Sequence, residues 1–230
     1  MSTSITDNRN ARDAVLARVR KALGATGDRA AARADAEAYL GAHGHGPRPA
    51  MPPDLVDRFN RRATDMESTV ERVADRREIP GAVARYVDAL TLPPMLALQR
   101  SHRGVCWPEF ADLDWAGAGL GIEVRPTVGE DRLGITGSFC AIAETGTLVM
   151  LAGAETPTAT ALLADTHIAV VRPERIVAGM EEAFDLIRRE QGRLPRAVNL
   201  ISGPSRTGDI EQTIVLGAHG PFRVHILVLG

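Results

Sequence analysis

The stretch that decides the fold is His167-Ile168-Ala169-Val170-Val171, then Pro173 ahead of Ile176, Val177, Met180, Ala183, Phe184 and Ile187, then Ala197-Val198-Asn199-Leu200-Ile201 beyond Gly192 and Pro195. The two short apolar runs, bounded by turn residues, read as strands. The stripe between them recurs at three and four residues with a proline at its start, which reads as a helix opened by Pro173. Strand, helix and strand in that order predict two parallel strands joined by a right-handed crossover. The expected class is therefore α/β, a mostly parallel sheet flanked by helices.

Working outward, Arg223 to Leu229 is apolar on both faces apart from His225, which predicts a central or well-covered strand. Upstream, residues 147–152, Ile122-Glu123-Val124-Arg125 and, after Pro93-Pro94, Met95-Leu96-Ala97-Leu98 read as further strands. A helix is expected from Pro80 to Leu90. A longer one is expected from Asp54, which follows Pro52-Pro53 and caps it, with Leu55, Phe59, Ala63, Met66, Val70 and Val73 on one face. Residues 8–23 read as a first helix stopped at Gly24, and 24–53 as aperiodic chain with a flexible Gly41-Ala42-His43-Gly44-His45-Gly46-Pro47 linker. The expected organisation is a helical extension over 1–53 and one domain over 54–230, without internal repeats.

Composition narrows the function. The chain has 230 residues, 44% hydrophobic and 24% charged, an ordinary globular balance. Its two cysteines, Cys106 and Cys140, lie far apart. A four-cysteine zinc or iron–sulfur site, a CxxC redox pair and a disulfide framework are thereby excluded, and a reducing, cytoplasmic setting is expected. A net charge of −2 makes the chain no nucleic-acid polycation. Lys21 is the only lysine, so Schiff-base chemistry has no other anchor. No apolar run approaches the roughly 18 residues of a membrane span, and Met1 to Asp7 lacks the basic flank and apolar region of a secretory signal.

Two segments carry candidate chemistry. In Ser202-Gly203-Pro204-Ser205-Arg206-Thr207-Gly208-Asp209-Ile210-Glu211, the glycines allow close backbone approach. Ser205 and Thr207 supply hydroxyls, and Arg206 offers a fork suited to a carboxylate or phosphate. Asp209 and Glu211 are either partners of Arg206 or acid–base groups. The alternative is a capped turn with Arg206 in a salt bridge. In Gly134 to Thr147 a single carboxylate, Glu144, sits among small and apolar residues beside Thr145. That setting favours a raised pKa and acid–base or nucleophilic work, or else a turn glutamate bonded to neighbouring N–H groups. His219, in the turn before the last strand, becomes a proton carrier if that turn folds beside the Arg206 loop. His167 and His225 read as core histidines, His102 as a solvated loop residue, and Trp107 and Trp115 as packing. GxGxxG and Walker patterns are absent.

Ala141-Ile142-Ala143-Glu144-Thr145-Gly146-Thr147-Leu148-Val149, Asp165 to Val171, and Ser202 through His219-Gly220-Pro221 together resemble the lactate-utilisation (LUD) family, in its single-domain protein C branch. The likeness runs from about residue 54 to the end. It implies a fold similar to the glucosamine-6-phosphate isomerase, ribose-5-phosphate isomerase and CoA-transferase group. It also implies a subunit of a bacterial system that oxidises L-lactate to pyruvate with iron–sulfur partner proteins, the clusters lying on the partners and no cofactor on this chain. On that reading Ser205, Arg206, Thr207 and Thr145 bind the carboxylate, and Glu144, Asp209 or His219 takes the hydroxyl proton. Two other readings stand beside it. One is a stand-alone isomerase or CoA-transferase type enzyme using Glu144; the other is a non-catalytic assembly or regulatory subunit.

Overall fold

The computed structural model describes residues 5–24, 29–90, 102–210 and 213–230. The chain forms two units, Met1–Arg48 and Pro49–Gly230. The first holds α1 (Ile5–Ala22) and α2 (Arg29–Ala42). Gly24 takes the left-handed conformation expected of a helix-ending glycine, at φ 57°. The second helix replaces part of the expected linker. Its seven alanines favour helix without drawing a one-sided apolar stripe, so periodicity does not mark it. Arg33 and Glu37 pair along it at 2.8 Å.

The second unit runs through α3 (Leu55–Asp65), β1 (Thr69–Val73), α4 (Ile79–Ala89), β2 (Arg103–Cys106), β3 (Gly121–Val124), β4 (Leu133–Thr136), β5 (Cys140–Ile142) and β6 (Thr147–Leu151). It continues through α5 (Ala159–Leu162), β7 (Thr166–Val171), β8 (Ile176–Val177), α6 (Met180–Gln191), β9 (Val198–Ile201), β10 (Arg206–Ile210), β11 (Thr213–Leu216) and β12 (Arg223–Leu229). Six strands form one sheet in the order β1-β12-β7-β4-β2-β3. Every pairing in it is parallel. The α/β class and the mostly parallel sheet are as the sequence predicts. Strands β7 and β12 lie inside that sheet and are buried along nearly their whole length, as continuous apolar runs must be. Ile135, Ile168, Ile226 and Leu227 form its centre, covered by Phe59 and Ala63 of α3 and by Ile79, Ala82, Val83 and Val87 of α4. Apart from the alanines, each such side chain contributes about 1.5–3 kcal/mol by leaving water.

Four expectations are corrected. First, β7 and β9 do not belong to one sheet. β9 pairs antiparallel with β6 in a second sheet ordered β8-β5-β6-β9. After β7 the chain passes through β8, which joins β5, and α6 then buries Ala183 and Ile187 against Cys140, Ile142 and Val149 of that second sheet. Second, the helix does not open at Pro173. Ile176 and Val177 are strand, and α6 starts after Gly179, whose N–H is accepted by the Glu182 carboxylate at 3.0 Å. Third, the helix capped by Asp54 stops at Asp65. Asp54 Oδ1 accepts from the Asp57 N–H at 2.9 Å as expected, but Glu67 turns into the left-handed region at φ 63° and Thr69 to Val73 pair with β12. Fourth, the Arg206 segment is not a free loop, because β10 and β11 form an antiparallel hairpin. The strand expected at Met95–Leu98 lies outside the described residues.

Candidate functional site

The Arg206 segment and the turn before β12 do meet. The Ser205 N–H donates to Pro221 O and the Gly217 N–H to Ser205 O, both at 2.9 Å, and the His219 N–H donates to Ser205 Oγ at 3.3 Å. This corner lies where β12 begins, the amino-terminal end of the parallel strands. Arg206 points its guanidinium at Glu67, with Nη2 2.7 Å from the carboxylate, so an anion arriving there competes with Glu67. Thr207 stands in the ladder opposite Val215, and the backbone of Asp209 lies in β10. Glu211 lies outside the described residues.

Glu144 and Thr145 sit elsewhere, on the tight turn joining β5 to β6. The Glu144 N–H donates to Ala178 O at 3.0 Å, and the side chain is half-buried. Gly146 closes that turn at φ 69°, pressed so closely on the backbone of Arg62 and Ala63 that no side chain would fit. A chain of hydroxyls, Thr145 to Thr147 at 2.6 Å and Thr147 to Ser202 at 2.7 Å, ties it to the start of the Arg206 segment. The expected site residues thus form two groups, Ser205, Arg206 and His219 in one and Glu144 and Thr145 in the other. Among the histidines, His167 and His225 are buried core groups. His167 shares a 2.8 Å hydrogen bond with Thr136, while His225 stacks on Tyr86 at 4.0 Å and bonds Thr69. Trp107 and Trp115 are buried, and half-buried His102 pairs with Asp88 at 2.8 Å.

The arrangement best suited to a ligand lies at the opposite edge, where β1, β2, β4, β7 and β12 end. Open parallel sheets collect ligands at that edge. A cleft of about 350 Å³ opens there, lined by Arg76, Glu109, Ser138, Phe139, Arg172 and Arg175 among others. Clefts of this size ordinarily hold small ligands. Glu109 follows β2 and keeps 39% of its side chain exposed. Its carboxylate accepts the Gly137 N–H at the end of β4, and a Cβ on Gly137 would fall on that carboxylate. Burial of the rest of the side chain pushes the Glu109 pKa up, outweighing the opposing pull of Arg172, the Gly137 N–H and Arg76.

The three guanidiniums are held differently. Arg76 forks onto Asp112 at 2.6 and 2.7 Å and also donates to Glu109 O. Arg175 forks onto Glu190 at 2.6 and 2.9 Å, donates to Phe139 O, and lies 4.7 Å from the centre of the Phe139 ring. Arg172, first after β7, has the loosest hold. Its Nη2 is 3.7 Å from Glu109 Oε2 and its side chain is 59% exposed. Arg76 and Arg175 are therefore fixed walls, and Arg172 is the fork able to turn to a ligand. Asp112 engages Arg76 and Glu190 engages Arg175, so Arg172, only loosely paired with Glu109, is the cation left to meet an arriving carboxylate. Glu109, Arg76 and Arg172 carry no motif. The signal that finds them is topological: each follows the carboxyl end of a parallel strand. Both cysteines are buried free thiols, pushed up by burial to about 11 for Cys106 and about 12 for Cys140, which keeps them out of thiolate chemistry at neutral pH. Among the described residues no three His, Cys, Asp or Glu side chains gather as metal ligands, and no helix is long and apolar enough to cross a membrane.

Residues 108–229 match the LUD domain, a stretch that starts beside Glu109 and takes in more than half of the chain. Lactate utilization protein C of Deinococcus radiodurans is 32% identical over 194 residues, covering 80% of this chain and 89% of that protein. This chain belongs to the LUD domain family. Lactate utilization protein C of Bacillus subtilis is 35% identical over 127 residues, so the match spans about half of that relative, 53% of its length. Among solved structures, a DUF162 family protein from Deinococcus radiodurans superposes with a TM-score of 0.53 at 25% identity, over 79% of this chain and all of that one. The LUD domain match holds Glu109, Glu144, Arg172 and the Arg206 corner alike. Arg76 and all of α3 precede it.

Proposed function

We propose that this LUD protein is a component of lactate utilisation that binds the carboxylate of L-lactate or pyruvate in the cleft between Glu109 and Arg172. The single observation behind this reading is the gathering of three guanidiniums around one half-sheltered, pKa-raised carboxylate at the carboxyl ends of the parallel strands. Arg172 would clamp the carboxylate, the Ser138 hydroxyl would turn from Val170 O, to which it donates at 3.2 Å, to an oxygen of the ligand, and Glu109 would accept the proton of the 2-hydroxyl. Oxidation of lactate to pyruvate releases two electrons and two protons. Iron–sulfur clusters on partner proteins would take the electrons, in the cytoplasm. The Arg206 and His219 corner and the Glu144 turn, where the sequence alone placed binding and proton transfer, lie outside this cleft.

With about six non-hydrogen atoms, lactate is capped near 9 kcal/mol even at the best-case ~1.5 kcal/mol per atom, and millimolar binding is expected. Titration of the full chain with L-lactate, followed by NMR, tests the reading. Shifts at Gly137, Ser138 and Arg172, at least tenfold weaker binding in Arg172→Ala, and intact thermal unfolding of that variant are expected. Shifts confined to Ser205, Arg206 and His219 would transfer the site to the other edge. Copurification with cysteine-rich proteins tests the electron acceptor separately.

A further inference from the structure

We infer that the cleft takes a 2-hydroxy or 2-oxo acid with a bulky apolar side chain in preference to lactate, because a second cavity borders the first. The inference rests on reading the Glu109–Arg172 cleft as the carboxylate site and names the ligand class of that same site. The second cavity measures about 250 Å³, and Glu109, Ser138 and Phe139 line both. Glu109, the carboxylate that would face the ligand's C2 oxygen, is thus part of their common border. Beyond that junction the walls are Trp107, Phe139, Leu151, Ala152 and Pro195.

The polar groups of those walls are already spent. The Trp107 indole N–H donates to Pro157 O at 3.2 Å, and the Thr156 hydroxyl donates to Leu151 O at 2.8 Å. Gln191, the remaining amide, belongs to the exposed end of α6. A chamber whose donors are internally satisfied rewards apolar occupancy and offers a second charged group nothing. An apolar cavity of about 150 Å³ suffices for benzene, so this one admits a phenyl or a branched alkyl group. The methyl of lactate leaves it unfilled. An acid anchored on Arg172, with its C2 oxygen at Glu109, projects its side chain past Phe139 into this space. Each methylene buried there strengthens binding about fourfold.

The test compares L-lactate with L-3-phenyllactate on the full chain by calorimetry and NMR. Phenyllactate should bind at least tenfold tighter than lactate to the wild type, with transferred NOEs from its ring to the Leu151 methyls. In Ala152→Leu, which narrows the chamber, the ratio of the two affinities should fall toward one. Equal affinities in the wild type, or an undiminished ratio in Ala152→Leu, overturn the inference and leave the carboxylate site standing. If neither acid shifts Gly137, Ser138 or Arg172, the carboxylate site fails and this inference falls with it. Should Ala152→Leu not fold, the wild-type ratio and the NOEs decide.

Discussion

Replacing His167 by leucine should favour stability more at acid than at neutral pH. His167 lies in the middle of the parallel sheet, fully buried, with Nε2 bonded to Thr136 Oγ1 and Nδ1 without a hydrogen-bond partner. Burial pulls its pKa down from 6.5 to about 3. In the unfolded chain the imidazole titrates near 6.5. Above that pH neither state is protonated and the histidine adds no pH dependence. As pH falls below 6.5 the unfolded chain takes up a proton that the folded protein refuses until about pH 3, and stability drains away over that window. At about 1.4 kcal/mol per pH unit, the loss at pH 4.5 is roughly 2.7 kcal/mol.

His167→Leu removes this linkage but strands the Thr136 hydroxyl, a penalty of about 1–3 kcal/mol that does not depend on pH. Loss of the unpartnered Nδ1 offsets that penalty, so whatever the difference at pH 7.5, the variant should gain roughly 2.7 kcal/mol on the wild type between pH 7.5 and 4.5. In urea titrations followed by circular dichroism, the difference in midpoint should swing by on the order of 1 M between the two pH values. Carboxylates titrate in both proteins and cancel in that difference. His225, 4% exposed and lowered to about 4 by burial, acts in the same direction and remains in both. A midpoint difference that is the same at pH 7.5 and 4.5 would refute the argument.

Gly146→Ala forces a side chain into a left-handed turn and onto the α3 backbone, and should cost about 2–4 kcal/mol in denaturant unfolding. Gly208→Ala, in open space at an ordinary φ, should stay within about 0.5 kcal/mol and serves as the control. In the cleft, an ionised Glu109 repels a bound carboxylate. L-lactate affinity should therefore rise as pH falls through the raised Glu109 pKa, and this dependence should vanish in Glu109→Gln. Parallel pH profiles for wild type and Glu109→Gln, measured by calorimetry, would remove Glu109 from the site.

The strands of this fold are written plainly in the sequence, whereas their partners are not. Thr147 to Leu151, Thr166 to Val171 and Arg223 to Leu229 stand out because short, β-branched apolar runs closed by glycine, proline or charge read as buried strands. Whether two such runs share a sheet depends on what lies between them, and Ile176-Val177 shows how little is needed to change the answer. Two residues pairing with β5 instead of opening a helix carry the chain into the second sheet and turn an expected parallel neighbour, β9, into an antiparallel one. The burial of β9 gives a faint warning, since Leu200 stays 41% exposed where a strand covered on both faces would hide it.

The same physics explains why the two kinds of site differ in legibility. The Arg206 segment draws the eye because glycines, hydroxyls and a guanidinium are adjacent in sequence, and adjacency is what a motif search detects. Yet adjacent residues on a strand alternate between faces, and once that segment becomes β10 the fork of Arg206 is committed to Glu67. Glu109 and Arg172 lie 63 residues apart in sequence, each just beyond the end of a strand and within no motif. They meet only because β2, β4 and β7 are consecutive in the sheet, so that everything following their carboxyl ends is brought to one edge. A reader of the bare sequence could find them only by treating every residue just beyond a parallel strand as a candidate. That rule becomes selective once the strand order is known. In such folds the order of the strands, more than any local motif, is the information that locates the chemistry.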